Sequence, residues 1–562
     1  MANLMGFNEN TIEEETELNT RDLLRYAVLA FPFLLLAVFL LYPVLIVTVQ
    51  GFFTGTPFQE VITSPTIQFT IQFTFGQAIL STFMAVLIGL PGAFLISRLK
   101  FRGKSLVKAM MIVPFVLPPI VVVVGFLQMF GPNGIIDSIL MWIQGSSTSV
   151  FNLATGVPGI ILAHTFYNVP LVLLMVSASL ERLNPEVEES AEILGASPYQ
   201  RLRRITLPHI MPSILASAVL TFMFCFMSFP IILAFGQGTY MTIEAQIWNA
   251  FRVFDYGQAS SLTFIQIIIT LSLAYVYIKL GRQENNAGPT ASIKTTSFDQ
   301  YKIKERILIL GYLVLIVILV VGPIVTIARA SVFDPIAQSY TLEGFANLFS
   351  IGSQGGLRYF INSLFYAGLA TIFAVILGIP LAIAMRSRFR TIPTLASGMI
   401  LLPLGISSIT VAYGLVLAVA VPTGLVTNPW PIIVVAQTII GLPFSARAIE
   451  IAMSKIDPAL MEQADSLGAS RIQRLLFVEL PLLAPGILVG GVFAFAMAIG
   501  EMSATLFIAL PQNYTLAVAI YDYLAVRAFV EAGAAALVLV IVCVVAFLVM
   551  ERISEGSTGG AL

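Results

Sequence analysis

Apolar blocks of about 20 residues, one after another along the whole chain, constrain this protein more than any other feature. A helix rises about 1.5 Å per residue, so a block of that length crosses a hydrocarbon core of roughly 30 Å. No water satisfies the backbone there, so each block must fold as a helix that keeps its hydrogen bonds internal. Twelve such blocks, bounded by charge or by Pro and Gly, predict spans over 26–50, 73–97, 107–130, 157–180, 211–235, 259–280, 306–329, 359–385, 395–420, 429–452, 483–510 and 531–550. Only 10% of the 562 residues are charged, where a soluble domain carries roughly 25%. The predicted fold class is an all-α membrane protein. Glu13, Glu14, Glu15 and Glu17 give the chain an acidic start, and the first block is too long for a cleavable leader, so it is expected to remain as an anchor. Cys225 and Cys543 fall in different blocks far apart, which supports neither a disulfide framework nor a cysteine metal site.

An even number of spans puts both termini on one side, and positive charge fixes which side. One set of loops holds Arg98, Lys100, Arg102, Lys104 and Lys108, then Arg182, Arg201, Arg203 and Arg204, then Arg386, Arg388 and Arg390. Of the 29 Lys and Arg, only Arg252, Arg329, Arg358 and Arg527 fall on the other side. Both termini are therefore expected to be cytoplasmic, in a multi-pass protein of the cell membrane.

The two halves of the chain repeat one another. Asn184-Pro185 recurs as Asp457-Pro458, Glu189 as Glu462, Gly195-Ala196-Ser197 as Gly468-Ala469-Ser470 and Leu207-Pro208 as Leu480-Pro481, always 273 residues later. Gly89, Pro91 and Pro114 recur as Gly378, Pro380 and Pro403, 289 residues later. The first half thus carries extra residues between its third and fourth spans, around Gly131–Gly156. The expected organisation is a tail over 1–25, a six-helix unit over 26–280, a polar linker over 281–305, a second unit over 306–550 and a tail over 551–562. Six spans per unit give both copies the same orientation, as in parallel transporter repeats, with a pathway between them.

After the fourth and tenth spans the chain reads NPEVEESAEILGASPYQRLRRITLP and DPALMEQADSLGASRIQRLLFVELP. Both spell helix, turn, helix. Asn184 or Asp457 caps the first helix and Pro185 or Pro458 opens it. Gly195 or Gly468 supplies the left-handed turn that ends it, and Ser197 or Ser470 caps the next. Val187, Ala191 and Leu194 share one face, as do Leu460, Ala464 and Leu467, and an apolar stripe repeated on two polar loops calls for a partner groove. A helix resting on lipid headgroups would carry basic residues on its polar face, but the first carries Glu186, Glu188, Glu189 and Glu192.

Glu189-Ser190-Ala191, Gly195 and Ile205-x-Leu207-Pro208 resemble the EAA signature of binding-protein-dependent ABC permeases. Glu462-Gln463-Ala464, Gly468 and Val478-x-Leu480-Pro481 repeat it, with Ser190 and Gln463 where the family prefers Ala. The resemblance covers nearly the whole chain and implies a type I importer permease. Residues 185–197 and 458–470 would then be its coupling helices, with Glu189, Ala191, Leu194, Gly195, Glu462, Ala464, Leu467 and Gly468 docking on a cytoplasmic ATPase. That ATPase, expected as a homodimer, uses the ATP and Mg; this chain binds no cofactor and no metal. Its one Gly-Lys pair, Gly103-Lys104, lacks the preceding Gly of a P-loop. The other implied partners are an extracytoplasmic substrate-binding protein and membrane lipid, without nucleic acid.

Stretches such as Ile160–His164, Asn168-Val169-Pro170, Phe222–Phe229 and Asp255–Ala259 resemble the fused permeases of the thiamine and ferric-iron importers. The run Gly500–Leu506 is nearer the iron type. Glu501, the acid within the predicted eleventh span, is a pathway candidate by its cost in a membrane, and would suit a cationic cargo. His164, Asn168, Ser228 and Gln437 are the other candidates, with His164 and Gln437 at equivalent places in the two halves, as Asn168 and Gly441 are. Knitting helices together is the alternative role for all of them, and packing is the alternative for the aromatic run. A twelve-helix secondary transporter is the main competing function; it would show buried ion-coupling carboxylates and would leave the paired loops without a purpose. A membrane enzyme would need clustered His, Asp or Glu, whereas the two histidines, His164 and His209, lie in different regions.

Overall fold

The computed structural model describes residues 30–53, 56–100, 104, 107, 111, 114, 117–146, 148–284, 296–352, 355–386 and 391–557. The predicted N-terminal tail, most of 107–116 and the centre of the linker lie outside the described residues. Among those described, eleven helices are long and apolar enough to cross a membrane, and a twelfth span is a bent pair, Ile392–Gly405 and Ser408–Thr423, with a 98° turn between them. Each of the twelve predicted blocks overlaps one of these spans.

Four predicted spans are not continuous helices, which is the main difference from the sequence reading. The fifth ends at Phe226 and restarts as Pro230–Phe235. The eleventh ends at Ile499 and restarts as Ser503–Ile508. The ninth breaks at Ile406-Ser407, and in the first half the Pro119–Phe130 helix begins after a matching break at Leu117-Pro118. Pro230 has no N–H to continue the ladder and opens the new helix at its first position. Ser407 instead caps a new helix, its Oγ accepting from Thr410 N at 3.1 Å. The breaks at 227–229 and 500–502 are 273 residues apart, and those at 117 and 406 are 289 apart, the same offsets as the sequence repeat.

The first helix of each half packs on the other half. The Tyr42–Phe53 helix lies against Ser408–Leu415, and the Ile303–Ala330 helix against Pro119–Phe130. Close approach needs glycine at each crossing: a Cβ on Gly125 would lie 2.2 Å from the Pro323 carbonyl oxygen, and one on Gly414 2.9 Å from the Pro43 carbonyl carbon. Thr326 Oγ1 donates to the Gly125 carbonyl across the same crossing at 2.8 Å.

The extra residues of the first half form a helix, Ile135–Gln144, rather than a bare loop. Its Asp137 is fully buried, and the carboxylate accepts from the backbone N–H groups of Asn133, Val150 and Phe151 at 2.8, 2.9 and 2.8 Å. Near the end of the linker, Thr296-Ser297 pairs in parallel with Leu99-Lys100 on the face that bears the arginine-rich loops, hereafter the basic face.

Candidate pathway cavity and paired loops

The four helix breaks meet around one cavity of about 290 Å³. A helix that stops inside a membrane leaves backbone groups unpaired, and this is tolerated where they are buried in protein or line a polar space. Both halves contribute. The first supplies His164, Asn168 and Ser228; the second supplies Ser407 and Glu501; Leu, Ile, Phe, Met and Pro side chains make up most of the remaining wall. Among the lining residues no Lys or Arg occurs.

His164 is 2% exposed, with Nδ1 3.3 Å from Ser81 Oγ, and its Nε2 has no hydrogen-bond partner among the described residues. Asn168 donates through Nδ2 to the His164 carbonyl at 2.8 Å and reaches Cys225 Sγ at 3.5 Å. Both amide hydrogens are thereby spoken for, which leaves Oδ1 as an acceptor for the cavity. Glu501 sits at the break itself, and its carboxylate accepts from Ala504 N and Thr505 N, each at 3.0 Å, and from Thr505 Oγ1 at 3.3 Å. It thus caps the helix that restarts at Ser503, where an anion also meets the positive end of the helix dipole.

Gln437 does not line the cavity. It lies behind the wall, with Nε2 3.4 Å from Thr505 Oγ1, and supports the residue that Glu501 caps. Gly441, which stands where the first half has Asn168, is a close helix contact whose Cβ would lie 3.2 Å from Ala494 Cβ. The two halves therefore place different chemistry at equivalent positions. Of the aromatic run, Phe222 and Phe226 stack on each other at 5.7 Å and Phe229 meets Trp248 at 5.7 Å, while Phe224, Met227 and Phe229 border the cavity.

Glu244 is a buried carboxylate that the sequence reading missed. It is 1% exposed in the Ile243–Arg252 helix, accepts from Gln266 Nε2 and faces the Ser407 hydroxyl and the Ile409 backbone. It lay between predicted spans, where an acid raises no question.

Away from the basic face, aromatic rings from both halves meet in one cluster. Phe251 meets Phe507 at 4.3 Å and Tyr413 at 5.4 Å, and the Tyr413 hydroxyl is 2.9 Å from Ser260 Oγ.

On the basic face, the two loops form as their sequences predict. Asn184 Oδ1 accepts from Glu186 N at 3.0 Å and Asp457 Oδ1 from Ala459 N at 2.9 Å. Gly195 and Gly468 take φ of +84° and +82°. Ala196 N returns to the Ala191 carbonyl, and Ala469 N to that of Ala464, the pattern of a glycine-ended helix. Ser197 and Gln200 bond reciprocally, as do Ser470 and Gln473. Leu194 and Leu467 project into the open, 87% and 88% exposed, beside Val187 and Leu460. Ala464 turns inward under its own loop, and Glu189 and Glu462 face outward.

Two pseudo-equivalent six-span halves, four helix breaks around a shared cavity and two matched surface loops define a polytopic membrane permease. The model for the binding-protein-dependent transport system inner membrane component matches residues 85–281 and again 374–556, so the chain belongs to that family, with its permease unit present twice. A putative ferric transport system permease protein of Haemophilus influenzae is 28% identical over 490 residues, covering 84% of this chain and 76% of that protein. A thiamine transport system permease protein of Salmonella typhimurium is 26% identical over 493 residues, covering 86% and 88%. Among solved structures, a bacterial alginate ABC transporter in complex with a pentasaccharide-bound periplasmic protein is 21% identical, with a TM-score of 0.41 over 48% of this chain and 98% of that one. The chain is a membrane permease subunit of an importer.

Proposed function

We propose that this permease passes a small solute, ferric iron or thiamine, from an extracytoplasmic binding protein to the cytoplasm, driven by a separate pair of identical ATPases. The observation that carries this reading is the pair of capped loops, alike in geometry and each holding a bare leucine away from the fold on the basic face. That face is the cytoplasmic one by the distribution of Lys and Arg. ATP and Mg are used by the ATPase, not by this chain. The ferric and thiamine permeases among its relatives supply the two cargo candidates. On this reading the cluster of Phe251, Tyr413 and Phe507 is the layer that shuts the cavity from the outside. Drawing the two loops together would part Phe251 from Phe507 and expose the cavity to the binding protein, as rigid-body alternating access requires.

The decisive experiment is uptake by vesicles holding this chain, its ATPase and its binding protein, offered labelled ferric iron, thiamine or a polyamine. ATP-dependent uptake of one cargo is expected. Uptake that needs no ATPase and follows an ion gradient would replace this reading with a secondary transporter. Two variants refine it. F251A/F507A removes the closing layer, and basal ATP hydrolysis without binding protein is expected to rise several-fold, because stabilising the outward-closed state is then weaker by about 1 kcal/mol or more. G468V should lower transport per ATP hydrolysed. A Cβ there meets nothing within 4 Å, so the whole cost is the left-handed backbone, about 1–2 kcal/mol. Normal coupling in G468V would mean that the turn is not used.

A further inference from the structure

The two loops are alike in their caps but not in what holds them to the membrane helices. In the first loop, Glu188 Oε1 is 2.5 Å from Arg98 Nη2, and Thr206 Oγ1 donates to the same oxygen at 2.5 Å. Arg98 is the last residue of the Pro65–Arg98 helix, and Thr206 begins the return into the membrane, so one carboxylate joins the loop to two spans. Burial works against ionisation of Glu188, but Arg98 first, then Thr206 and Arg201, hold its carboxyl below the usual range. At the equivalent places the second half has Met461 for Glu188, Ser387 for Arg98 and Glu479 for Thr206. Glu479 instead pairs with Arg474 at 2.9 Å, within its own stretch of helix. Another contact is shared by both loops: Arg201–Glu192 at 2.7 Å and Arg474–Asp465 at 2.6 Å.

The far end of the clamped helix touches what would have to move. Its Thr74 Oγ1 accepts from Ile243 N at 2.9 Å, at the start of the helix that carries Glu244 and Phe251. Gln77 Nε2 donates to the Cys225 carbonyl at 2.9 Å, just before the break at 227–229, and Ser81 meets His164. The second half repeats the first of these joints, with Ser363 Oγ accepting from Leu516 N at 2.7 Å. The lever is therefore present in both halves. Among the described residues, the first is joined to its loop helix by an ion pair, whereas the end of the second is held by Arg386 Nη1, which donates to the Met453 carbonyl at the end of the span before the loop. A helix of 34 residues spans about 51 Å, long enough to carry a displacement from loop to closing layer.

We propose that Arg98, Glu188 and Thr206 form a clamp through which the first loop, and not the second, drives the opening of the closing layer, so that the two ATPase contacts are mechanically unequal. Arg98, Glu188 and Thr206 are positioning residues in this scheme, and the proposal rests on the reading that an ATPase docks on these loops. The test uses the full complex in lipid vesicles, with ATP hydrolysis and uptake measured on the same sample. E188Q and R98Q are expected to lower uptake per ATP about tenfold while hydrolysis stays within about twofold, since breaking a partly buried ion pair leaves one charge uncompensated. The swap R98E/E188R should restore most of the coupling, and E479Q, which breaks the second half's pair with Arg474 outside the docking helix, should leave it unchanged. Where E188Q does not assemble, R98K carries the test, because it keeps the charge and loses the planar fork; a partial loss of coupling is expected. Parallel falls in hydrolysis and uptake, unchanged coupling in E188Q, or an equal loss in E479Q would each overturn the clamp. Failure of the parent reading is distinguishable, since it would show as uptake independent of the ATPase in the unsubstituted complex.

Discussion

Glu501→Ala is expected to abolish most uptake, by roughly tenfold or more, while the chain still reaches the membrane. The carboxylate receives two backbone N–H groups and one hydroxyl at the start of a helix beside the cavity. Alanine leaves both N–H groups buried without an acceptor, at about 1–3 kcal/mol each, and removes a favourable charge from the helix terminus. That loss falls on one short segment, Ser503–Ile508, whose Phe507 belongs to the closing layer. The break at 500–502 should therefore re-form with different geometry, and the protein as a whole should remain folded. Glu501→Gln tests the charge separately: its amide oxygen replaces one carboxylate oxygen while its NH2 faces the other N–H, so an intermediate loss is expected. Concentration-dependent uptake separates two roles. If Glu501 acts only by holding the break, Gln lowers the maximal rate at unchanged KM for every cargo; if it also touches a cationic cargo, KM rises. Wild-type uptake by Glu501→Ala would remove the residue from the mechanism altogether.

How much of this was legible in the sequence depended on the range of the interactions involved. The loops were readable because every determinant lies within a few residues: a capping side chain at 184 or 457, a proline next, a glycine where φ must be positive and a serine opening the following turn. Spans were readable because hydropathy reports what the chain is dissolved in. Breaks were not, because hydropathy carries no direction. Phe226-Met227-Ser228-Phe229 is as apolar as any helix interior, and Pro230 was the local cue that a turn intervenes. At 500–502 even that cue is missing, and the helix restarts because Glu501 caps it, a role visible only in three dimensions. Burial was equally invisible for Glu244, whose neighbours Gln266 and Ser407 come from distant parts of the chain. Internal symmetry misled in one respect. His164 and Gln437 are equivalent by sequence, yet one borders the cavity and the other braces its wall, because replacing Asn168 by Gly441 brings the second-half helix tight against Ala494.

Gly125→Leu is expected to have the largest effect on assembly, with little folded protein recovered. A Cβ at this position would sit 2.2 Å from the Pro323 carbonyl oxygen and 2.9 Å from its carbon. These are backbone atoms of another helix, which cannot rotate away as a side chain would, and overpacking against flexible neighbours already costs about 1–3 kcal/mol. In a membrane, helices associate through close packing and hydrogen bonds rather than through expulsion of water, so small residues at crossings carry much of the specificity. Separating the helices also breaks the bond from Thr326 Oγ1 to the Gly125 carbonyl. Gly414→Leu, at the matching crossing with Pro43, should also destabilise, but less, since its nearest contact is 2.9 Å. Gly76→Ala and Gly368→Ala serve as controls: both lie in spanning helices with nothing within 4 Å of the added carbon, and alanine should be neutral or stabilise by about 0.5–1 kcal/mol through helix propensity. The readout is monodisperse yield in detergent together with thermal unfolding. The order Gly125→Leu worst, Gly414→Leu next and both alanines unharmed would establish that each half is clasped by the other half's first helix. Recovery of Gly125→Leu at normal yield would mean that the two helices do not cross at this point.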